Sequence, residues 1–351
     1  MRPFRIATFN VWHGLAGQGA FHGLFGFREF ENRDDREARW RTALKDLLEV
    51  DADVVLLQEL NPVSQKGKDL VSTLGGQFYG RVDQSGLKVL SRGVPGNLST
   101  GLGILMRGEA RAARLRDDVE KFPRSRKLSG GPGVTGEDFS LHFDEQRYAQ
   151  FLSVRHERLG RVLVVNTHLH HGFERFPELL RLLSEAVEAG RVGRAEAQDV
   201  LEHLDRSRDR RIAEVDRILE LVERVNAEHD GVVIGGDLNS VATGGAIRSL
   251  ELAGFYDLAK KAGNDEATWD PIKNEANHRL QRMKGFDFPL PDYGNRALRD
   301  VYRQFDLLPR RIDYLFGRGS VRDVSQVDVF GQPKAGETGA SDHFGVVATW
   351  I

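Results

Sequence analysis

One segment constrains the fold of this chain more than any other: a short apolar strand that ends in two glycines, an aspartate and an asparagine. It reads Gly231-Val-Val-Ile-Gly-Gly-Asp237-Leu-Asn239-Ser240. A continuous Val/Ile run is typical of a strand buried on both faces of an α/β sheet. Asp237 and Asn239 are two positions apart, so in extended backbone both side chains point beyond the strand end, where α/β proteins bind ligands. The same residues also suit a polar turn, and this segment alone leaves both interpretations open.

The same arrangement recurs at five other places. Short apolar segments carry polar residues at one end, and in the last segment the polar residues come first. With the strand described above, the six segments are Phe4–Asn10, Asp53–Glu59, Arg161–His168, Gly231–Asn239, Arg311–Phe316 and Ser341–Trp350. Because ligands of α/β sheets gather outside strand ends, these side chains predict a site that holds water, a metal ion or phosphate.

Helices and long loops separate these strands. Residues 36–49 and 208–229 have apolar side chains at a 3.6-residue period and are predicted to cover the sheets from outside. Residues 172–206 are predicted to be a charged helical insertion. Two glycine-rich stretches, near 14–32 and 91–138, are predicted to be long loops, and either could be a substrate lid. The phenylalanines of the first loop could instead pin it to the core. We interpret residues 1–351 as a single domain.

Composition narrows the chemistry. The 351 residues include no cysteine, which excludes thiolate nucleophiles and cysteine-ligated zinc. The chain has 50 basic and 52 acidic residues, so its net charge does not favour nucleic acid or an anionic membrane as a partner. No leader-like segment and no membrane-spanning apolar run is present. We therefore expect a cytoplasmic monomer with no transmembrane segment and no stable protein partner.

The polar set suits metal-assisted hydrolysis of phosphoesters. Glu59 could hold Mg²⁺, which needs only one or two carboxylates. Asn10 could position that carboxylate or touch phosphate. Asp313 and His343 could form a pair in which the carboxylate raises the basicity of the imidazole and fixes its tautomer.

Six motifs together resemble the deoxyribonuclease I-like endonuclease/exonuclease/phosphatase superfamily. They occur in the family's order and span residues 4–350. The motifs are Thr8-Phe-Asn10, Leu57-Gln58-Glu59, Asn166-Thr-His168-Leu, Gly236-Asp237-Leu-Asn239, Arg311-Ile-Asp313-Tyr and Ser341-Asp342-His343. The resemblance implies an α/β (α+β) four-layer sandwich, in which two packed mixed β-sheets are flanked by helices and the site lies at one edge. It also implies a Mg²⁺-dependent phosphodiesterase, with Mn²⁺ as a substitute, acting on nucleic acid, phospholipid or a small phosphodiester.

The resemblance also assigns roles to individual residues. Glu59 is implied as the principal metal ligand, with Asn10 and Asp342 beside it, and Asn10 is implied to bind the substrate as well. Asp237 and Asn239 are implied to orient the attacking water and bind phosphate. The remaining roles concern the histidines: His343, held by Asp313, as general base or phosphate-stabilising group, and His168 as the group that stabilises or protonates the leaving group.

Some features lie outside the family's general pattern. Thr268-Trp269-Asp270-Pro271 resembles a substrate-side loop of some phosphodiesterases, which makes Trp269 and Asp270 candidate substrate contacts. The resemblance gives no role to His13, His170 or His171. Three alternatives remain open: a phosphomonoesterase of the inositol-phosphate type, a zinc hydrolase built on the cluster His168, His170 and His171, and a non-catalytic binding module.

Overall fold

A computed structural model describes the chain over the ranges 2–16, 28–29, 33–82, 87–89, 92–93, 101–107, 111–112, 125–130, 133–135, 139–142, 146–278, 290–334 and 336–351. The strands are β1 (Phe4–Asn10), β2 (Leu15–Ala16), β3 (Arg28–Glu29), β4 (Val54–Leu60), β5 (Gln77–Val82), β6 (Leu87–Val89), β7 (Arg92–Gly93), β8 (Gly101–Met106), β9 (Arg111–Ala112), β10 (Ser125–Ser129), β11 (Gly133–Thr135), β12 (Phe139–His142), β13 (Arg147–His156), β14 (Gly160–His168), β15 (Gly231–Asp237), β16 (Tyr256–Asp257), β17 (Asp313–Gly319), β18 (Gln326–Phe330) and β19 (Gly345–Trp350). The helices are α1 (Arg33–Val50), α2 (Val63–Leu74), α3 (Pro177–Glu188), α4 (Arg194–Asn226), α5 (Gly245–Leu252), α6 (Leu258–Lys261) and α7 (Arg296–Asp306).

Two mixed sheets form the centre of the fold. The first has the strand order β18-β19-β1-β4-β8-β5, and the second runs β10-β13-β14-β15-β17-β16 with β9 beside β13. Each contains one parallel pair, β1 with β4 and β14 with β15, and its other pairs are antiparallel. The predicted sandwich of two packed mixed sheets is confirmed.

Alternation of side chains along the central strands builds the layers. In β1, Ile6 faces the other sheet and joins a buried cluster with Val54 of β4 and Val164 of β14. Its neighbours Ala7 and Phe9 face the opposite way, into a cluster with residues of α1 and α2. Because side chains of a strand alternate between faces, a strand with buried apolar side chains on both faces must be covered on both sides.

Helices provide those covers. Helices α1 and α2 pack on the first sheet, and α4 and α5 pack on the second. A further apolar cluster joins α3, α4 and α7. None of the helices in the described ranges is long and apolar enough to cross a membrane.

Most of the stretch predicted to be helical at 172–206 is helical, but the predicted boundary at residue 206 is wrong. Helix α3 accounts for its first part, but α4 runs unbroken from Arg194 to Asn226 and merges the insertion with the helix predicted at 208–229. No glycine or proline occurs within α4, so nothing in the backbone ends the helix between the two segments.

The loop predicted at 91–138 also needs correction. Residues 101–106 within it form β8, which is buried along its whole length between β4 and β5. Glycine misled the prediction: a Cβ on Gly103 would lie 2.5 Å from side-chain atoms of Leu60 and Phe78, so this glycine allows close packing. Of the other predicted loop, 14–32, residues 17–27 and 30–32 lie outside the described ranges.

Gly236 in β15 provides a test of how tightly the central strands pack. It has φ of 142°, and a Cβ there would lie 1.8 Å from the carbonyl oxygen of Thr167. We predict that Gly236→Ala lowers the free energy of unfolding by about 2–5 kcal/mol, because strain and overpacking add. Gly263→Ala is the control, since Gly263 has φ of 74° with nothing within 4 Å, and it should cost only about 1 kcal/mol. Equal losses in urea unfolding would contradict the close approach at Gly236.

Candidate active site

Five strand ends of the two sheets meet at one edge of the sandwich. Asn10 ends β1, and Glu59 lies one residue before the end of β4. In the second sheet, His168 at the end of β14 pairs with Asp237 at the end of β15, which pairs with Asp313 at the start of β17. His343 lies two residues before β19. Predicted site residues from all six motifs therefore come together.

Asn10 connects the two sheets at this edge. Its Nδ2 donates to Glu59 Oε1 over 3.1 Å and to Asp237 Oδ2 over 3.0 Å. Its Oδ1 accepts the backbone N–H of Trp12. In this arrangement Asn10 holds the two carboxylates in place with its amide nitrogen and does not turn its oxygen toward them.

Two imidazoles face the carboxylate of Asp237. His168 Nε2 lies 3.3 Å and His343 Nε2 3.8 Å from Asp237 Oδ2. The other ring nitrogen of His343, Nδ1, lies 2.8 Å from Asp313 Oδ2. The predicted Asp–His pair is thus formed, and it points His343 Nε2 at Asp237.

Backbone strain concentrates at this edge. Five non-glycine residues in the described ranges have positive φ, and three of them are Trp12 at 49°, Glu59 at 58° and Asn239 at 48°. Left-handed backbone costs such residues about 1–3 kcal/mol each and persists where the surroundings enforce it. Two hydrogen bonds hold Asn239 in this conformation: its N–H donates to Asp237 Oδ1, and its Nδ2 donates to the carbonyl oxygen of Leu169.

The electrostatics keep both site carboxylates ionised. Burial by itself would raise the pKa of Glu59, but His13, His168 and His343 outweigh it and lower the pKa to about 2. Burial likewise opposes ionisation of Asp237, and His343 and His168 again prevail, so its pKa is well below the ordinary value. Both side chains are therefore anionic at neutral pH.

His343 has the opposite shift. Burial would lower the pKa of its imidazole, but Asp313, Asp237 and Asp342 raise it to about 10. Burial and the charge of Asp237 raise the pKa of Asp313, against the attraction of His343. At neutral pH His343 is therefore an imidazolium in the metal-free protein, a cation placed between two carboxylates.

The remaining predicted residues surround this centre. The ring of Trp269 contacts the ring of His343 edge-on at 5.2 Å, and Asp270 Oδ1 caps the following turn by accepting the N–H groups of Ile272 and Lys273. Asp342 is buried and its Oδ1 accepts the hydroxyl of Ser341. Substrate contact by Trp269 and Asp270 and metal ligation by Asp342 stay predictions.

Two structural supports were missed by sequence reasoning. Gln58 Nε2 donates across the sheets to Asn166 Oδ1 over 2.7 Å, directly beneath the site. Buried Arg39 of α1 donates to the carbonyl oxygens of Val11, Trp12 and Ala340. Gln58 and Asn166 stood within the quoted motifs, beside Glu59 and His168, and that position was the available signal. Arg39 had none, because a helical arginine usually faces solvent.

The donor set fits a hard divalent cation. Glu59 and Asp237 offer ionised oxygens, and the side chain of Glu59 is 14% exposed whereas that of Asp237 is 2% exposed, so a cation would enter beside Glu59. Across the described ranges, one group of three His, Asp or Glu ligand atoms lies mutually within 4.8 Å, formed by Asp237, Asp313 and His343. The cluster of His168, His170 and His171 is not such a group, which leaves the zinc alternative without support.

Comparison with known proteins identifies the family. The family model described as Endonuclease/Exonuclease/phosphatase family matches residues 7–343. Truncated TDP2 of Caenorhabditis elegans is 16% identical with a TM-score of 0.54, over 99% of this chain and 98% of that one. A family protein of Bacteroides thetaiotaomicron is 15% identical with a TM-score of 0.55, over 99% and 94% of the two chains. The mannosyl-6-phosphatase of Bacteroides thetaiotaomicron is 13% identical with a TM-score of 0.53, over 99% and 100%. No curated protein matches the chain.

The carboxylates and imidazoles that meet at the edge of the two-sheet sandwich are the arrangement expected of a hydrolase of phosphoester bonds. The match over nearly the whole length completes the assignment: the chain belongs to the Endonuclease/Exonuclease/phosphatase family, whose members are usually dependent on a divalent metal. The resemblance drawn from the six motifs is confirmed.

Proposed function

We propose that this protein is a Mg²⁺- or Mn²⁺-dependent phosphodiesterase. The observation that carries the proposal is the bridge from Asn10 to Glu59 and Asp237, which places two ionised carboxylates at one mouth of the sandwich. A divalent cation bound there would polarise a phosphoryl oxygen. Asp237 and Asn239 would orient the attacking water and the phosphate, and His168 would stabilise the leaving oxygen.

The charge of the site supports a diester substrate. No hydrogen bond or ion pair of Glu59, His168, Asp237 or His343 within the described ranges involves an arginine or a lysine. The cationic groups in direct contact with the carboxylates are imidazoles, and Arg211 and Arg310 interact with the charge of Asp237 only at longer range. A phosphodiester carries one negative charge and needs less compensation than the dianion of a phosphomonoester, which arginine usually binds.

The test is a metal-titrated comparison of bis-p-nitrophenyl phosphate with p-nitrophenyl phosphate, followed by plasmid DNA, RNA, sphingomyelin and inositol phosphates. We predict diester hydrolysis that is abolished by EDTA and restored by Mg²⁺ or Mn²⁺. Glu59→Gln should lower turnover by at least about a hundredfold, because it removes an anionic ligand. Glu157→Gln, at the exposed turn between β13 and β14, is the matched control and should match the parent protein.

Two outcomes would contradict the proposed metal-dependent phosphodiesterase activity. Faster hydrolysis of the monoester would favour a phosphatase, the activity for which the similar structure from Bacteroides thetaiotaomicron is named. Activity that survives EDTA, with Glu59→Gln as active as Glu157→Gln, would show that the two carboxylates hold no catalytic cation.

A further inference from the structure

His13 contacts Glu59 with both its main chain and its side chain, although the family resemblance gives it no role. Its backbone N–H donates to Glu59 Oε2 over 3.1 Å. Its ring Nε2 lies 3.3 Å from the same oxygen, and 20% of the His13 side chain is exposed. The imidazole therefore lies at the mouth of the site, beside the more accessible of the two carboxylates.

The turn that carries His13 is held in place by several independent contacts. Trp12 is in the left-handed region with φ of 49°, and its N–H donates to Asn10 Oδ1 over 3.0 Å. Arg39 donates to the carbonyl oxygens of Val11 and Trp12 over 2.7 and 2.8 Å, and its guanidinium lies 4.5 Å from the centre of the Trp12 ring. The groups that position Asn10 thus also fix His13, and strain of this kind typically marks a functional position.

The distance between the two side chains suits two neighbouring ligands of one cation. With metal–ligand bonds of about 2.1 Å, adjacent ligand atoms lie about 3 Å apart. The 3.3 Å between His13 Nε2 and Glu59 Oε2 meets this requirement. His168 Nε2 is farther from its nearest Glu59 oxygen, 3.9 Å from Oε1, and lies closer to Asp237.

We propose that His13 Nε2 and Glu59 Oε2 ligate the same divalent cation, so that the site binds a transition metal such as Co²⁺ more tightly than Mg²⁺. The proposal rests on the metal-dependent function proposed above. Its chemical basis is that imidazole nitrogen binds transition metals well, whereas Mg²⁺ prefers oxygen ligands.

His13→Gln is the appropriate variant, because glutamine offers an oxygen in place of the nitrogen and the backbone N–H still orients Glu59. We predict that it lowers the affinity for Co²⁺ by about tenfold or more and the affinity for Mg²⁺ by less than about threefold. Both affinities are measured without substrate, by calorimetric titration. In proton NMR of the Co²⁺ protein, one paramagnetically shifted imidazole N–H signal should disappear in His13→Gln. His203→Gln, on α4, is the control and should keep every signal.

The outcomes separate this inference from the proposed function. Equal Co²⁺/Mg²⁺ affinity ratios and identical shifted signals in His13→Gln and the parent would overturn ligation by His13 and leave metal-dependent hydrolysis intact. Failure of the parent protein to bind either cation, together with activity in EDTA, would overturn both.

Discussion

Asp237→Asn should lower turnover on a phosphodiester by at least about a hundredfold while the protein stays folded. Four groups converge on this carboxylate: Asn10 Nδ2, the N–H of Asn239, and the imidazoles of His168 and His343. An asparagine keeps the size and one acceptor oxygen but removes the charge. The two imidazoles then lose their shared anion, and the attacking water loses the group proposed to orient it.

The measurement is kcat and KM on bis-p-nitrophenyl phosphate, with circular dichroism to verify folding. Asp230→Asn is the control, because Asp230 precedes the other end of the same strand and accepts the N–H of Arg161 there. A rise in KM with kcat unchanged would assign Asp237 to substrate binding alone. A variant as active as Asp230→Asn would remove Asp237 from the catalytic group.

The pH dependence of the unfolding free energy shows whether ionised Asp237 stabilises or destabilises the fold. Because the pKa of Asp237 is lower in the folded protein than in the unfolded chain, its ionisation stabilises the fold above its ordinary pKa, and this stabilisation is lost as the pH falls through the folded value. The difference in unfolding free energy between the parent and Asp237→Asn should therefore shrink in strong acid.

The sequence was sufficient to predict the two packed sheets and the strands whose ends form the candidate site. Apolar strands followed by polar residues indicated buried sheets whose ends meet, and Asn10, Glu59 and Asp237 do meet. A strand end is a local pattern: the polar residues that follow an apolar run can be recognised without knowing how distant segments pack. The order of six such ends added the information that one end, taken alone, lacked.

What escaped prediction depends on long-range contacts. The clamp of Arg39 on Ala340 joins residues 301 positions apart, and the bond from Gln58 to Asn166 joins residues 108 positions apart. Neither has a local sequence signature. The strand β8 was included in a predicted loop because the stretch 91–138 is long and rich in glycine, whereas Gly103 in β8 allows close approach of the side chains of Leu60 and Phe78. Packing between distant segments decided each of these cases.

The protonation of His343 decides between its two predicted roles, because a protonated imidazole cannot accept a proton. Its raised pKa, about 10 in the metal-free protein, favours the proposed role of a cation that would stabilise negative charge on phosphate, and Asp313 contributes most to the rise. His343→Ala should therefore lower turnover by at least about a hundredfold. Asp313→Asn should leave the ring in place and lower its pKa, so that activity declines at a lower alkaline pH than in the parent.

Two measurements distinguish the imidazolium from a general base. In the metal-free protein, the ring ¹H–¹⁵N signals of His343 should titrate near pH 10, and in Asp313→Asn they should titrate at a lower pH. Since the folded pKa is raised, the ion pair stabilises the fold fully below the ordinary histidine pKa of about 6.5 and loses this contribution as the pH rises through about 10. Asp323→Asn, an exposed site, is the control. If the ring is neutral at pH 7 and enzyme activity rises as the ring loses its proton, His343 is the general base. Asp313 would then serve to orient it.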